Sequence, residues 1–200
     1  MKRTLTLGVA ALAAALVLSA CGGDEDTAGT DPSTSSPPET ISAPGSTDEH
    51  NDADVTFAQM MIPHHAQAVE MSDLVLAKDD IGGDVAALAE QIKAAQQPEI
   101  EQMTSWLEAW GEDMPEMEGM DHPMNGMVSQ EDVDAIGEAS GVEAALLYLE
   151  LMKAHHEGAI EMAEDEVAEG SNPAAIALAE TIITTQQAEI VEIEALLAAT

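Results

Sequence analysis

Cysteine, aromatic side chains and positive charge are all scarce in this 200-residue chain. The one cysteine, Cys21, permits no intramolecular disulfide and no thiolate cluster for zinc or an iron-sulfur centre. One Phe, one Tyr and two Trp cannot stack successive bases, and five Lys+Arg against 39 Asp+Glu cannot neutralise a phosphate backbone. Nucleic-acid binding is thereby excluded. A formal charge of −34 instead favours cations as partners. The sequence also lacks a Gly-rich phosphate loop and a nucleophile with a matching base, so hydrolytic and phosphoryl chemistry have no support. What is present is Ala, Leu, Val, Ile and Met beside Glu and Gln. Most of these are good helix formers, and they point to an all-α fold with an aliphatic core.

Lys2 and Arg3 precede an apolar run from Leu5 to Val17, followed by Leu18, Ser19, Ala20 and Cys21. Residues 1–20 read as a secretion signal whose end resembles a bacterial lipobox, which implies cleavage before Cys21 and lipid attachment to it. An uncleaved anchor is the alternative, but the run is shorter than the roughly 20 residues that span a bilayer. Residues 21–50 are rich in Ser, Thr, Pro, Gly and Asp, with almost no large apolar side chain, and read as a flexible stalk. Residues 51–200 are left to form one core.

That part contains an internal repeat. Phe57, Met61, His64, His65, Ala68, Glu70 and Met71 recur 91 positions later as Tyr148, Met152, His155, His156, Ala159, Glu161 and Met162. Gln96, Gln97, Glu99 and Ile100 recur as Gln186, Gln187, Glu189 and Ile190, one position closer. Each copy reads as a helical hairpin: residues 52–110 in the first, broken after Lys78 and restarted at a capping Asp84, and 142–200 in the second, broken at Gly170 and restarted by Asn172 and Pro173. Two hairpins make a four-helix bundle. Residues 111–128 form a Met-rich connection, and Ser129 caps a short extra helix to Ala139. Pro63 and Pro98 fall inside predicted helices, where each should kink the helix or mark a boundary.

Met61, His64, Ala68 and Met71 are spaced three, four and three, as are Met152, His155, Ala159 and Met162, the seam that a bundle helix turns inward. In an antiparallel hairpin, residues equidistant from the turn lie side by side. His64 and His65 then lie level with Gln97 and its neighbours, and His155 and His156 level with Gln186 and Gln187. The four histidines, with Met61, Met71, Met152 and Met162, are candidate metal ligands. Gln96, Gln97, Glu99, Gln186, Gln187 and Glu189 are candidates to orient them through hydrogen bonds. Buried polar packing without a metal is the competing reading.

The connection carries a second signal. Met114, Met117, Met120, Met124 and Met127 are interrupted by Gly, Pro, Asp, Glu and Asn, so they form no helical stripe. Thioethers select soft ions, Cu(I) first and Ag(I) by extension, and His122 adds a borderline ligand that accepts Cu(II). Metal ions are therefore the expected partners.

The strings Met61-Ile-Pro-His-His65, His155-His-Glu-Gly-Ala-Ile160 and the paired Gln-Gln-x-Glu-Ile segments resemble the bacterial domain-of-unknown-function 305 family over about residues 51–200. The resemblance implies a ferritin-like four-helix bundle, and copper binding and copper tolerance as in some exported members. Taken together, the expected function is an extracytoplasmic, lipid-anchored copper- or silver-binding protein for sequestration or delivery. Two alternatives stand beside it. One is a metal-dependent oxidase using the His and Glu layer, although the Glu-x-x-His spacing of di-iron bundles is missing because Met61, Ile62, Met152 and Lys153 precede the histidines. The other is a metal-free helical interaction module.

Overall fold

A computed structural model describes residues 49–114 and 126–199. Cys21, Met117, Met120, His122 and Met124 lie outside the described residues, as do the signal and nearly all of the stalk. The described residues are all-α and form five helices: α1 (Asp52–Leu76), α2 (Gly83–Trp110), α3 (Gln130–Glu138), α4 (Gly141–Glu169) and α5 (Pro173–Ala199). No described helix is long and apolar enough to cross a membrane.

The helix starts follow local chemistry. Asn51 accepts from the amides of Ala53 and Asp54 while Asp54 reaches back to the Asn51 amide, a reciprocal cap that satisfies donors left open at the first turn of α1. Ser129 caps α3 through Asp132, and Asn172 caps α5 through Ala174 and Ala175. The expected cap at Asp84 is not formed. The cap lies two residues earlier, at Gly82, whose φ of 88° places it in the left-handed region and which offers no side chain. Neither Pro63 nor Pro98 marks a helix boundary: α1 and α2 run through them.

Helices α1 and α2 pack as one hairpin and α4 and α5 as another, and the hairpins meet mainly along α1 and α4, with α3 laid across that pair. Helices α1 and α4 are antiparallel. Asp54 near the start of α1 bonds Ser171 and Asn172 just past the end of α4, and Ser72 near the end of α1 meets the Tyr148 hydroxyl near the start of α4 at 3.1 Å.

The interior is divided lengthwise into two apolar clusters. Phe57, Met61, Met103, Trp106, Leu107, Ala159, Ala163 and Ile182 form one. Met71, Val75, Leu88, Ile92, Tyr148, Leu149, Met152 and Ile193 belong to the other. On every long helix the residues between the clusters are polar: His64 and His65 on α1, Gln96 on α2, His155 and His156 on α4, Gln186 and Glu189 on α5, all buried. The bundle thus carries a polar slab across its middle.

Candidate metal centre

The repeat places four imidazoles in that slab because positions three and four apart along α1 and α4 turn the same face inward. His64 and His155 meet at the junction of the two hairpins, with ring centroids 3.6 Å apart and an interplanar angle of 35°. His65 and His156, rotated by about 100° around their helices, point instead to their own hairpin partners. His65 Nε2 bonds Glu99 Oε2 at 2.8 Å, and His156 Nε2 bonds Glu189 Oε2 at 2.8 Å. In each case Nδ1 of the same ring is buried and has no hydrogen-bond partner.

The slab therefore holds more buried polar capacity than it satisfies. Both ring nitrogens of His155, the Gln96 amide and the Gln186 carbonyl also lack a partner of good hydrogen-bond geometry, although the His64 backbone lies close enough to His155 to favour its protonated form slightly. Buried polar atoms are rarely left so. Burial, and then the neighbouring His64, His156 and His65, push the His155 pKa well below the ordinary imidazole value. A neutral ring is the form with a free lone pair, so the environment that makes His155 a poor base leaves it available as a ligand.

The two halves are not equivalent. The Glu99 side chain keeps 16% of its surface exposed and that of Glu189 only 3%. Glu189 also accepts from Gln91 of the other hairpin at 3.3 Å. Thr181 stands in the second copy where Gln91 stands in the first, so Glu99 has no corresponding bond across the hairpins among those formed by the described residues.

Other sequence candidates are dispersed. Met61 and Met152 are fully buried one turn before the inner histidines, each on the edge of an apolar cluster. Met71 is buried in the cluster away from the slab, and Met162 is half-buried against the other cluster. Gln97 and Gln187 are exposed, which takes them out of the layer expected for them. On α2 and α5 a helical step of about 100° turns them from the inward face of Gln96 and Gln186 to the exposed side, whereas on α1 and α4 the same step carries His65 and His156 toward their own hairpin partners. Of the connecting thioethers, Met114 is exposed and Met127 half-buried. Among the described residues, no three His, Cys, Asp or Glu side chains are already arranged around one ion.

Two residues escaped the sequence reading. Gln67 grips the backbone of Val128, donating to its carbonyl and accepting from its amide, both at 3.0 Å. Glu166, fully buried at the far end of α4, faces Asp54. The signal for Gln67 was available in the repeat, because the equivalent position holds Gly158. The signal for Glu166 was not, since a carboxylate in so acidic a chain reads as a solvated face.

Comparison with known proteins follows the same lines. The family model described as domain of unknown function (DUF305) matches residues 54–197. A DUF305 fragment from Deinococcus radiodurans is 30% identical with a TM-score of 0.69, the alignment covering 75% of this chain and 98% of that one. A DUF305 protein from Streptomyces coelicolor, designated a secreted protein, is 33% identical with a TM-score of 0.68, covering 74% and 93%. CopM in its Cu(II)-bound form is 28% identical with a TM-score of 0.64, covering 73% and 96%, and CopM has also been solved in Cu(I)-bound and Ag-bound forms. Among curated proteins, none matches. With its duplicated histidine pair, its two hairpins and a match over most of its length, this chain belongs to the DUF305 family.

Proposed function

We propose that this chain is an extracytoplasmic, lipid-anchored protein that binds copper and silver for sequestration or delivery. The observation that carries the reading is the polar slab: four buried imidazoles, two of them oriented by carboxylates through Nε2, with Nδ1 of His65 and of His156 left without a hydrogen-bond partner and available to a metal. His64, His65, His155 and His156 would hold the ion, Glu99 and Glu189 would fix the rings, and Met61 and Met152 border the same level. Soft monovalent ions such as Cu(I) and Ag(I) accept neutral imidazole and thioether ligands, whereas Mg and Ca prefer oxygen donors. The Met-rich connection, including Met117, Met120, His122 and Met124, would capture soft ions, and the acidic chain would raise the local cation concentration. The Cu(I)-, Cu(II)- and Ag-bound forms of CopM support this choice of metals. The lipobox-like end at Cys21 and the Streptomyces relative designated as secreted support the location.

The test is a competitive Cu(I) titration of the intact chain against a calibrated chelator under reducing conditions, repeated with His64, His65, His155 and His156 all replaced by Gln. We expect tight binding by the native chain and at least a tenfold loss in the variant. Unchanged affinity would make the slab a structural polar core, the reading that the His65–Glu99 and His156–Glu189 bonds would then serve. Lipid attachment is checked separately: labelled fatty acid should be incorporated by the native chain in its host and not by Cys21→Ser.

A further inference from the structure

The segment leading from the Met-rich connection into α3 is fixed at two points on the bundle. Gly126 has a φ of +75°, and a Cβ there would lie 2.7 Å from the Gly158 Cα and 2.9 Å from the His155 carbonyl oxygen. Its backbone therefore rests directly on α4, where a side chain would be excluded. Two residues later, Gln67 of α1 holds Val128 through both its amide and its carbonyl. That paired grip fixes the register of the segment as a neighbouring strand would.

The positions of the two contacts matter more than their strength. Helices α1 and α4 are antiparallel and bring His64 against His155. Gly158 lies about one turn beyond His155 along α4, and Gln67 about one turn beyond His64 along α1. On antiparallel helices those steps lead in opposite directions, so the two contacts bracket the level of the His64–His155 pair. Met127, the residue between them, crosses that level. Gln67 and Gly158 are also equivalent positions in the two repeats. A symmetric bundle needs no carboxamide in one copy and bare backbone in the other, whereas a chain segment lying across the junction uses both.

We propose that Met127 supplies a thioether at the edge of the histidine slab, so that a soft cation is held jointly by Met127 and an imidazole of the inner pair, with Gln67 and Gly126 as positioning residues. The proposal rests on the copper- and silver-binding reading and adds to it the point where the thioethers and the imidazoles meet. A neutral thioether beside a neutral imidazole offers a ligand pair for Cu(I) or Ag(I) and adds no buried charge of its own.

The test uses the intact chain loaded with one equivalent of Cu(I) under reducing conditions, with X-ray absorption counting sulfur and nitrogen neighbours of the metal and a chelator titration giving affinity. Met127→Leu preserves volume and the fold, and it should lose one sulfur neighbour and weaken binding about tenfold. Gln67→Leu and Gly126→Ala, which keep the thioether but release the segment, should also lose that sulfur. Helix content measured alongside should match the native chain for Met127→Leu and Gln67→Leu. A native sulfur count retained in Met127→Leu overturns the proposal. Loss in Met127→Leu but not in Gln67→Leu overturns the positioning role. If the histidine variant loses affinity while Met127→Leu does not, the copper reading stands and this proposal falls. A native chain that binds no Cu(I) overturns both.

Discussion

Asp54 and Glu166 form a buried carboxyl pair at the end of the bundle where the chain enters α1. Burial pushes the Asp54 pKa up, but hydrogen bonds from the Asn172 and Asn51 amides, from Glu166 and from Ser171 outweigh it and leave the pKa below the usual value. Glu166 receives no amide. Burial and the neighbouring Asp54, as hydrogen-bond acceptor and as like charge, raise it to about 8. At neutral pH the pair accordingly shares a proton, donated by Glu166 to Asp54. Because the folded state holds this proton more tightly than the unfolded chain, its stabilisation is complete below the ordinary Glu value of 4.5. It is lost as pH rises from there through about 8. Asp54 acts in the opposite sense, its contribution being lost as pH falls through its lowered value. We expect the melting temperature to decline between pH 5 and pH 9, and Glu166→Gln, which keeps a donor toward Asp54, to flatten that decline by about 5 °C. Thermal melts across that range check it, and parallel declines would exclude the shared proton. A second residue-scale expectation concerns Tyr148, fully buried and bonded to Ser72. Tyr148→Phe should cost about 1 kcal/mol, and Ser72→Ala more, because it removes the hydrogen-bond partner of a buried phenol hydroxyl. Equal or reversed costs in denaturant titrations would count against that account.

At the scale of elements, each hairpin is closed by a different device. Between α1 and α2 the turn depends on Asp80 and Gly82, both at positive φ. Between α4 and α5 it depends on Asn172, which caps α5, donates its side-chain amide to the Glu49 carbonyl and offers its own amide to Asp54. One side chain thus joins the entry of the chain to the second hairpin. Asn172→Ala should cost about 2 kcal/mol, at the upper end for a helix cap, because it removes bonds on two elements. Asn172→Asp, which keeps the capping oxygen but loses the donor to Glu49, should cost less. Denaturant midpoints of the two variants measure the difference. The repeat made the hairpins legible in the sequence, since matching residues recurring 90 or 91 positions apart imply the same local structure twice. The Gly82 start was not legible, because Asp84 offers a better cap by residue type and only the path of the turn decides which residue stands first.

At the scale of the molecule, excess negative charge opposes compaction. With 39 acids against five bases, mutual repulsion is relieved by screening. Raising ionic strength from about 0.01 M to 0.15 M, which shortens the screening length from about 30 Å to about 8 Å, should raise the melting temperature of the metal-free chain. A melting temperature that falls with salt would mean that ion pairs such as Lys153 with Glu157 and Glu194 outweigh the repulsion. Bound metal should stabilise through linkage, by about 2.7 kcal/mol at a free concentration one hundred times the Kd. The gain should vanish when the four histidines are replaced.

The amino-acid sequence alone determined the helical class, the duplicated hairpins and the inward direction of His64 and His155, because these follow from propensity and from a period shared by two copies. It also marked the level at which His, Gln and Glu would meet, because an antiparallel hairpin places residues by their distance from its turn. Tertiary structure decided the rest. It assigned Glu99 and Glu189 to the outer histidines, brought the inner pair to 3.6 Å, exposed Gln97 and Gln187, and set Gln67 against Val128 and Glu166 against Asp54. These are contacts between helices or between a helix and a loop. Periodicity fixes which way a side chain leaves its own helix, and only the docking of one hairpin on the other fixes what it meets.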